Sequence, residues 1–175
     1  MKLDISDKEV LRAISHPLNL KKKDIEYLQS IALSNITGKS RICSHKNIEE
    51  KLHEMFIFHK KDYYVRPHRH FNKSESILIL EGSADLVLFD EKGDIQNVIH
   101  LENFSSGNVF YHRIDEPIFH MIIIRSKFIV FYEATSGPFN RKDTEFAPWS
   151  PETNSSEINQ FVKKIEYQIK NFTSI

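Results

Sequence analysis

The sequence has very little cysteine, since Cys43 is the only one among 175 residues. A single thiol excludes a disulfide framework within the chain and any zinc site built from several cysteines of one chain. The chain also lacks an excess of charge, because 24 Lys and Arg residues balance 24 Asp and Glu residues. This balance gives no reason to expect binding to nucleic acid or to an anionic membrane. Gly-rich phosphate loops and the G-x-S-x-G nucleophile motif are missing as well.

Long apolar runs are absent too. No window approaches the ~18 apolar residues of a membrane span, and the N-terminal MKLDISDKEV has no apolar signal core. The expectation is a soluble, cytoplasmic protein. What the chain does have is 40% hydrophobic residues, including 13 Phe, over a length that suits one domain with a sizeable core.

Two helices are predicted near the start of the chain. The sequence SDKE at Ser6 to Glu9 fits a capping box, which predicts a short helix through Val10 that is closed by His16 and Pro17. Apolar residues at helical spacing then predict a second helix over residues 22–34. We therefore expect residues 1–50 to form a helical segment packed on the rest of the fold.

After residue 50 the pattern changes to short segments rich in β-branched and aromatic residues. They cover residues 54–60, 62–70, 76–82, 83–90, 94–101, 108–114 and 120–134. The sequence DEKGD at Asp90 to Asp94 is typical of a hairpin turn. Residues 51–152 are thus predicted to form a β-sandwich or β-barrel. An apolar stripe from Ile158 to Phe172 predicts a terminal helix within residues 153–175, in a single domain overall.

A histidine pair, His68 and His70, precedes the apolar segment SILILEG. Nine histidines in 175 residues would give about half of one such pair by chance, so the pair alone means little. Glu75 and Gly82 at fixed offsets lower the chance to about one in a thousand. The combination therefore indicates a site rather than an accident.

The spacing is also physically suited to a metal ion. Residues i and i+2 of a strand share a face about 7 Å apart, so His68 and His70 can converge on one ion. Glu75 begins the next predicted strand and can return beside them. A third imidazole must come from a later strand, where both His112 and His120 are candidates. Such a mixed N/O shell suits one divalent Fe, Mn, Ni, Co or Zn ion and not a calcium cage.

The stretch HRHFNKSESILILEG has the HxH(x)4E(x)6G spacing of the first cupin motif. Together with YVRPHRH and GPFNRKDTEFAPWSPE, it resembles the WbuC family of cupin-fold metalloproteins over roughly residues 63–152. The resemblance implies a mainly β fold, a cupin double-stranded β-helix (jelly-roll) barrel with flanking N- and C-terminal α-helices. It further implies a homodimer and one divalent metal ion held by His68, His70, Glu75 and His120.

The chain departs from the family pattern at three places. Asp62 replaces a glycine six residues before the first ligand, and Ile124 replaces an asparagine four residues after the last one. The turn before His120 reads Asp115-Glu116-Pro117 instead of Pro-x-Gly. The turn that positions His120 is therefore expected to differ from that of the family.

Strand alternation predicts two further site residues. If His68 and His70 point inward, Tyr64 and Arg66 share their parity and point inward too. We expect Arg66 to bind a carboxylate or phosphate of a substrate and Tyr64 to act as a donor or acid, which makes both candidate catalytic residues. In the alternative interpretation, Arg66 is paired permanently with an acidic neighbour such as Glu133.

Two functions fit these observations. The first is a metal-dependent isomerase, hydrolase or dioxygenase that acts on a small polar molecule. The family resemblance implies a sugar or nucleotide-sugar, including anionic sugar derivatives, in O-antigen (lipopolysaccharide) polysaccharide biosynthesis. The second is a non-catalytic cupin that senses or carries a metabolite, because folds of this kind host both roles. Inward-facing Tyr64 and Arg66 beside open metal positions favour the enzyme.

Overall fold

The structure is a computed structural model and describes residues 2–5, 7–15 and 17–172. Two α-helices and two short 3-10 turns accompany twelve strands. The helices are α1 (Lys22–Ser34) and α2 (Ile158–Lys170), and the 3-10 turns are Phe104–Ser106 and Arg141–Asp143. The strands are β1 (Leu3–Asp4), β2 (Val10–Ala13), β3 (Lys39–Cys43), β4 (Leu52–Lys60), β5 (His68–His70), β6 (Glu75–Glu81), β7 (Ser83–Phe89), β8 (Ile95–Glu102), β9 (Tyr111–Ile114), β10 (Phe119–Ile124), β11 (Phe128–Ser136) and β12 (Thr144–Phe146).

The strands form two sheets. The seven-stranded sheet has the order β1-β2-β3-β4-β11-β6-β9, and the five-stranded sheet has the order β12-β5-β10-β7-β8. All named pairs are antiparallel except β2 and β3, which run parallel. The predicted mainly β, two-sheet architecture is confirmed. Of the predicted sandwich or barrel, the structure has two separate sheets that do not close into a barrel, because no named strand of the described residues belongs to both.

The two helices and the two sheets form four layers, with an apolar cluster between each layer and the next. Side chains such as Ile77 of β6 and Ile122 of β10 fill the space between the two sheets. Leu28 of α1 packs in a second cluster on the outer face of the seven-stranded sheet. Ile165 of α2 packs in a third cluster on the outer face of the five-stranded sheet. Both sheets are therefore covered on their outer faces, which leaves the space between them for a site.

The first predicted helix is wrong, and the second is present. Val10–Ala13 form strand β2, in which Leu11 is buried against the α1 side while Arg12 points the opposite way. Four residues are too few to separate a period of 2 from one of 3.6, and β2 is a strand because it pairs with β1 and with β3, which lies far along the chain. Ser6 and His16 of this prediction lie outside the described residues. Helix α1 has the predicted bounds, 22–34.

Other differences concern strand bounds. The predicted strand 62–70 is a strand only at His68–His70, because Pro67 lacks an N–H for the ladder and the residues before it do not pair. The predicted segment 120–134 is divided between β10 and β11 by a turn at residues 125–127. The hairpin turn at Asp90 is present, with its N–H bonded to the carbonyl of Asp94. No helix of the described residues is long and apolar enough to cross a membrane.

Candidate metal centre

Two neighbouring strands of the five-stranded sheet carry the three histidines. In the β5–β10 pairing, His68 lies opposite His120, and His70 lies two residues further along β5 on the same face. Strand β10 is buried on both faces, and its alternation directs Phe119 and Met121 towards α2. His120 and Ile122 therefore point between the sheets. The alternation predicted for the histidines is confirmed on these strands.

Glu75 comes from the opposite sheet. It is the first residue of β6 and is paired with Thr135 of β11. The loop of residues 71–74 carries the chain from one sheet to the other, and Asn72 adopts a left-handed backbone there (φ 56°). Gly82 ends β6 with φ 87°, where a Cβ would lie 2.3 Å from the carbonyl oxygen of Phe128. Only glycine fits this turn, which explains its place in the motif.

The four side chains meet between the sheets. Each of the four residues offers one ligand atom, and these four atoms all lie within 4.8 Å of one another. The Nε2 atom of His70 is 3.1 Å from Oε2 of Glu75, and Nε2 of His120 is 3.8 Å from Oε1 of the same carboxylate. The ring centroids of His68 and His120 are 4.5 Å apart. The structure thus brings together the four residues that the sequence predicted as ligands.

Hydrogen bonds on the far side of each ring fix its orientation. Nδ1 of His68 lies 2.8 Å from the carbonyl oxygen of Arg66, and Nδ1 of His120 lies 3.0 Å from that of Ile118. A carbonyl can only accept, so both rings carry their proton on Nδ1 and direct the Nε2 lone pair inward. Nδ1 of His70 lies 3.1 Å from Oγ1 of Thr144.

The environment of one atom in the group indicates whether a metal ion fits there. Nε2 of His120 is buried and has no hydrogen-bond partner. A buried lone pair without a partner is costly, and an ion would satisfy it. Three imidazoles and one carboxylate form the N/O donor set that suits Fe, Mn, Ni, Co or Zn. The residues present therefore fit one divalent transition ion.

The electrostatics of the group favour the same occupant. Burial lowers the pKa of His68 to about 4, and the neighbouring His120 acts in the same direction. Burial also lowers the pKa of His120. Burial alone would raise the pKa of Glu75, but the hydrogen bond with His70 and the other imidazoles outweigh it and lower that pKa. At neutral pH His68 and His120 are therefore neutral and Glu75 is a carboxylate, the protonation states that bind a cation.

His112, the other candidate for the third imidazole, lies elsewhere. It is on β9 opposite Ile77, at the edge of the seven-stranded sheet, and is not part of the four-residue group. Burial lowers its pKa, and the nearby His120 acts in the same direction. The choice of His120 by family resemblance agrees with this geometry.

The orientation predicted for Tyr64 and Arg66 is wrong. Neither is among the described residues that line the cavity beside the metal group. The hydroxyl of Tyr64 donates to the carbonyl oxygen of Pro151 at 3.1 Å. Nε of Arg66 donates to Oγ of Ser150 at 3.1 Å, and its guanidinium lies 5.0 Å from the ring centre of Phe146.

The physical reason is that strand alternation does not extend back across Pro67 into residues that are not in a strand. The alternative partner considered for Arg66, Glu133, lies in the cavity wall instead. Arg66 and Tyr64 thus hold the segment 146–151 against the fold. Their catalytic role stays a prediction.

A cavity of about 480 Å³ adjoins the metal group. All four candidate ligands line it, together with side chains of β2, β3, β4 and β11. Apolar Ile77 and Ile122 form part of the wall. A volume of this size is typical of small-molecule sites.

Glu133 is a cavity residue that the sequence analysis considered only as a partner for Arg66. It lies on β11, opposite Ile77 of β6. Burial raises its pKa, and the charge of Glu75 raises it further, while Arg41 and Lys73 act against the shift. A carboxyl that keeps its proton near neutral pH can serve as an acid or a base. The strand parity of β11 could have placed Glu133 inward, but the sequence alone does not reveal that β11 pairs with β6.

The comparisons with known proteins give information about the fold of this chain and little about its function. The model of a domain of unknown function, DUF6016, matches residues 20–101, just under half of the 175-residue chain. No curated protein matches the chain. Protein SO0799 from Shewanella oneidensis is structurally similar, with a TM-score of 0.53 at 10% identity, over 77% of this chain and 85% of that one. This likeness supports a shared fold.

Two other solved structures have names that refer to sugars. The capsular polysaccharide assembling protein CapF from Staphylococcus aureus has a TM-score of 0.46 at 18% identity, over 56% of this chain and 27% of that one. A sugar phosphate isomerase from a cupin superfamily, from Silicibacter pomeroyi, has a TM-score of 0.41 at 13% identity, over 50% and 52%. Both TM-scores lie below 0.5, so neither likeness carries an argument about this chain.

Proposed function

We propose that this protein is a cupin-type metalloenzyme that holds one divalent transition ion and acts on a small polar metabolite in the adjoining cavity. The observation that carries this proposal is the convergence of His68, His70, Glu75 and His120, with the Nε2 atom of His120 buried and unpartnered at the edge of the cavity. His59 also has an unpartnered ring nitrogen, so what distinguishes His120 is that its nitrogen belongs to a group of four converging ligand atoms.

The residues around the cavity have different roles in this proposal. His68, His70, Glu75 and His120 would hold the ion, which would supply Lewis-acid polarisation of a substrate oxygen. Glu133 faces the same cavity and keeps a proton that it can donate or take back. The apolar side chains of Ile77 and Ile122 exclude water from the bottom of the site. This combination suits proton-transfer chemistry on a polar metabolite.

The finer parts of the proposal rest on the sequence resemblance. They are membership of the WbuC family and a sugar or nucleotide-sugar substrate in O-antigen polysaccharide biosynthesis. A cytoplasmic location and a homodimer belong with them. The identity of neighbouring genes tests the substrate class directly, because a cluster of sugar-synthesis genes would support it.

Metal content is the first test. Protein purified without a histidine tag should contain close to one transition metal ion per chain by elemental analysis. His68→Ala and His120→Ala should each lower that content by at least tenfold, because each removes one of the four ligand atoms. His100→Ala is the matched control, since His100 is an exposed histidine on β8 outside the group. Metal-free wild-type protein, with unchanged stability in His68→Ala, would refute the metal site.

Turnover is the second readout of the same experiment. On a panel of sugars and nucleotide-sugars, Glu133→Gln should reduce kcat by about 10²–10⁴-fold, because the amide cannot transfer the proton. Metal content should persist in this variant. Binding of a panel member without turnover by the wild-type protein would instead indicate a sensor or carrier.

A further inference from the structure

Basic side chains from the N-terminal strands line the cavity opposite the metal group. Arg12 on β2 and both Lys39 and Arg41 on β3 belong to the wall. Lys39 is paired with Glu9, with Nζ 3.2 Å from Oε2. The two arginines form no ion pair with a carboxylate among the described residues. The wall therefore presents two uncompensated positive charges to the cavity.

Arg12 and Arg41 line the same cavity, and Cys43, which Arg12 faces across the β2–β3 pairing, lies in its wall as well. Burial raises the pKa of the Cys43 thiol, and the charges of Arg41 and Arg12 both act against that rise. Nη1 of Arg12 is buried and has no hydrogen-bond partner among the described residues. A buried guanidinium N–H without an acceptor is costly, so a folded protein keeps one mainly where a ligand supplies the acceptor.

The sheet register gives the distance between the two ends of the cavity. Arg12 lies opposite Cys43, Cys43 opposite Met55, Met55 opposite Glu133, and Glu133 opposite Ile77. These directly paired residues form a row across the sheet from β2 to β6, the strand that begins with Glu75. Neighbouring strands are about 4.8 Å apart, so the backbones of β2 and β6 are separated by about 19 Å. Glu133 lies on this row, three strands from Arg12 and one strand from β6.

Long side chains shorten this span from both sides. What remains is room for a ligand whose two polar ends are several bonds apart, in a cavity of about 480 Å³. One end must suit a divalent cation, and the other must suit two arginines. Guanidinium groups bind carboxylate and phosphate groups through paired, charge-assisted hydrogen bonds.

We propose that the substrate carries a carboxylate or phosphate group that binds Arg12 and Arg41, while its opposite end lies at the metal group beside Glu133. The position of the opposite end at the metal group rests on the proposed function, whereas the binding of the anion by the two arginines does not. This assignment transfers the anion site from Arg66, where strand parity predicted it, to the N-terminal strands. The substrate is accordingly an anionic sugar derivative rather than a neutral sugar.

Calorimetric titration with three related probes tests the assignment. Glucose 6-phosphate and glucuronate carry the two anionic groups on the sugar frame, and glucose carries neither. Wild-type protein should bind at least one anionic probe at least tenfold more tightly than glucose, and the better probe distinguishes phosphate from carboxylate. Arg12→Gln and Arg41→Gln should each remove most of this preference. Arg113→Gln is the matched control, because Arg113 is an exposed arginine on β9 outside the cavity.

The outcomes separate this inference from the proposed function. The titrations are run on metal-loaded protein and on protein treated with EDTA, and the preference that depends on the arginines should persist in both. Equal affinity of the wild type for all three probes, no binding of either anion at millimolar concentration, or a preference that survives both substitutions would overturn it. Metal content tests the metal site independently of these titrations. The two arginine variants should leave the metal content unchanged.

Discussion

His59 lies in the cavity wall on β4, between two aromatic rings. Its ring centroid is 4.3 Å from that of Tyr63 and 5.5 Å from that of Phe131. Burial lowers its pKa to about 3, and the charges of Lys39 and Arg41 act in the same direction. The side chain is therefore neutral in the folded protein, and Nδ1 is buried without a hydrogen-bond partner.

This pKa makes stability depend on pH in a defined direction. The unfolded chain binds a proton at His59 below about pH 6.5, whereas the folded chain does so only near pH 3. The contribution of neutral His59 is therefore complete above pH 6.5 and is lost as the pH falls towards 3. Between pH 7 and pH 5 the loss is about 2 kcal/mol of unfolding free energy.

His59→Phe removes the titrating group and keeps an aromatic ring. In urea unfolding of EDTA-treated protein, the variant should lose about 2 kcal/mol less than the wild type between pH 7 and pH 5. All other histidines are common to both proteins, so the difference isolates His59. If the unfolding free energies of the variant and the wild type fall in parallel with pH, His59 has the same pKa in the folded and unfolded chains, and the prediction is wrong.

The ligands were predictable from the sequence because their spacing is a property of the chain itself. His68, His70 and Glu75 lie within eight consecutive positions, so strand alternation brings the two histidines together and a four-residue loop brings Glu75 beside them. His120 required the family resemblance, because spacing left His112 equally possible. Tyr64 and Arg66 were misplaced because parity was continued across a proline.

At the level of elements, one arginine connects helix α2 to the sheets. Arg125, in the turn between β10 and β11, donates from Nε to Oδ2 of Asp85 on β7 at 2.7 Å. Its Nη1 donates to Oε1 of Glu166 on α2 at 2.8 Å. Asp85 is 6% exposed and also contacts Nδ1 of His100 at 2.8 Å. The helix is thus joined by charge as well as by apolar packing.

Arg125→Met should lower the unfolding free energy by about 3 kcal/mol, because it leaves the buried Asp85 carboxylate without its main partner. Glu166→Gln should cost less than about 1 kcal/mol, since that carboxylate is 38% exposed. Urea unfolding at neutral pH measures both. Equal losses in the two variants would mean that the helix contact, rather than burial of Asp85, carries the energy.

Elements were predictable where a periodic pattern was long. Helix α1 and helix α2 each offer thirteen residues with an apolar face. Strands β2 and β3 were missed because each is short and exists through its pairing with the other and with β4. These missed strands carry Arg12 and Arg41, so the anion-binding wall could not be found before the sheet was known.

At the scale of the whole molecule, the candidate metal centre joins the two sheets. Three ligands belong to the five-stranded sheet and Glu75 belongs to the seven-stranded sheet. An ion that binds the folded chain and not the unfolded one should stabilise the entire sandwich.

Thermal unfolding should therefore show a lower Tm after EDTA treatment. Restoring a divalent metal ion at about a thousand times its dissociation constant should return about 4 kcal/mol of stability. His68→Ala should show neither the loss nor the recovery. A Tm that is the same with and without EDTA, in protein shown to contain metal, would mean that the ion does not connect the sheets.

Strand β5 is only three residues long, and its second neighbour is β12, which follows it by more than seventy positions. The Thr144 hydroxyl at the start of β12 orients the ring of His70. A fragment that stopped before residue 144 would carry all four metal-binding side chains and still lack the edge that aligns them. Transplanting the histidine motif into another scaffold would meet the same obstacle. The ligands are encoded locally, whereas their alignment is encoded near the other end of the chain.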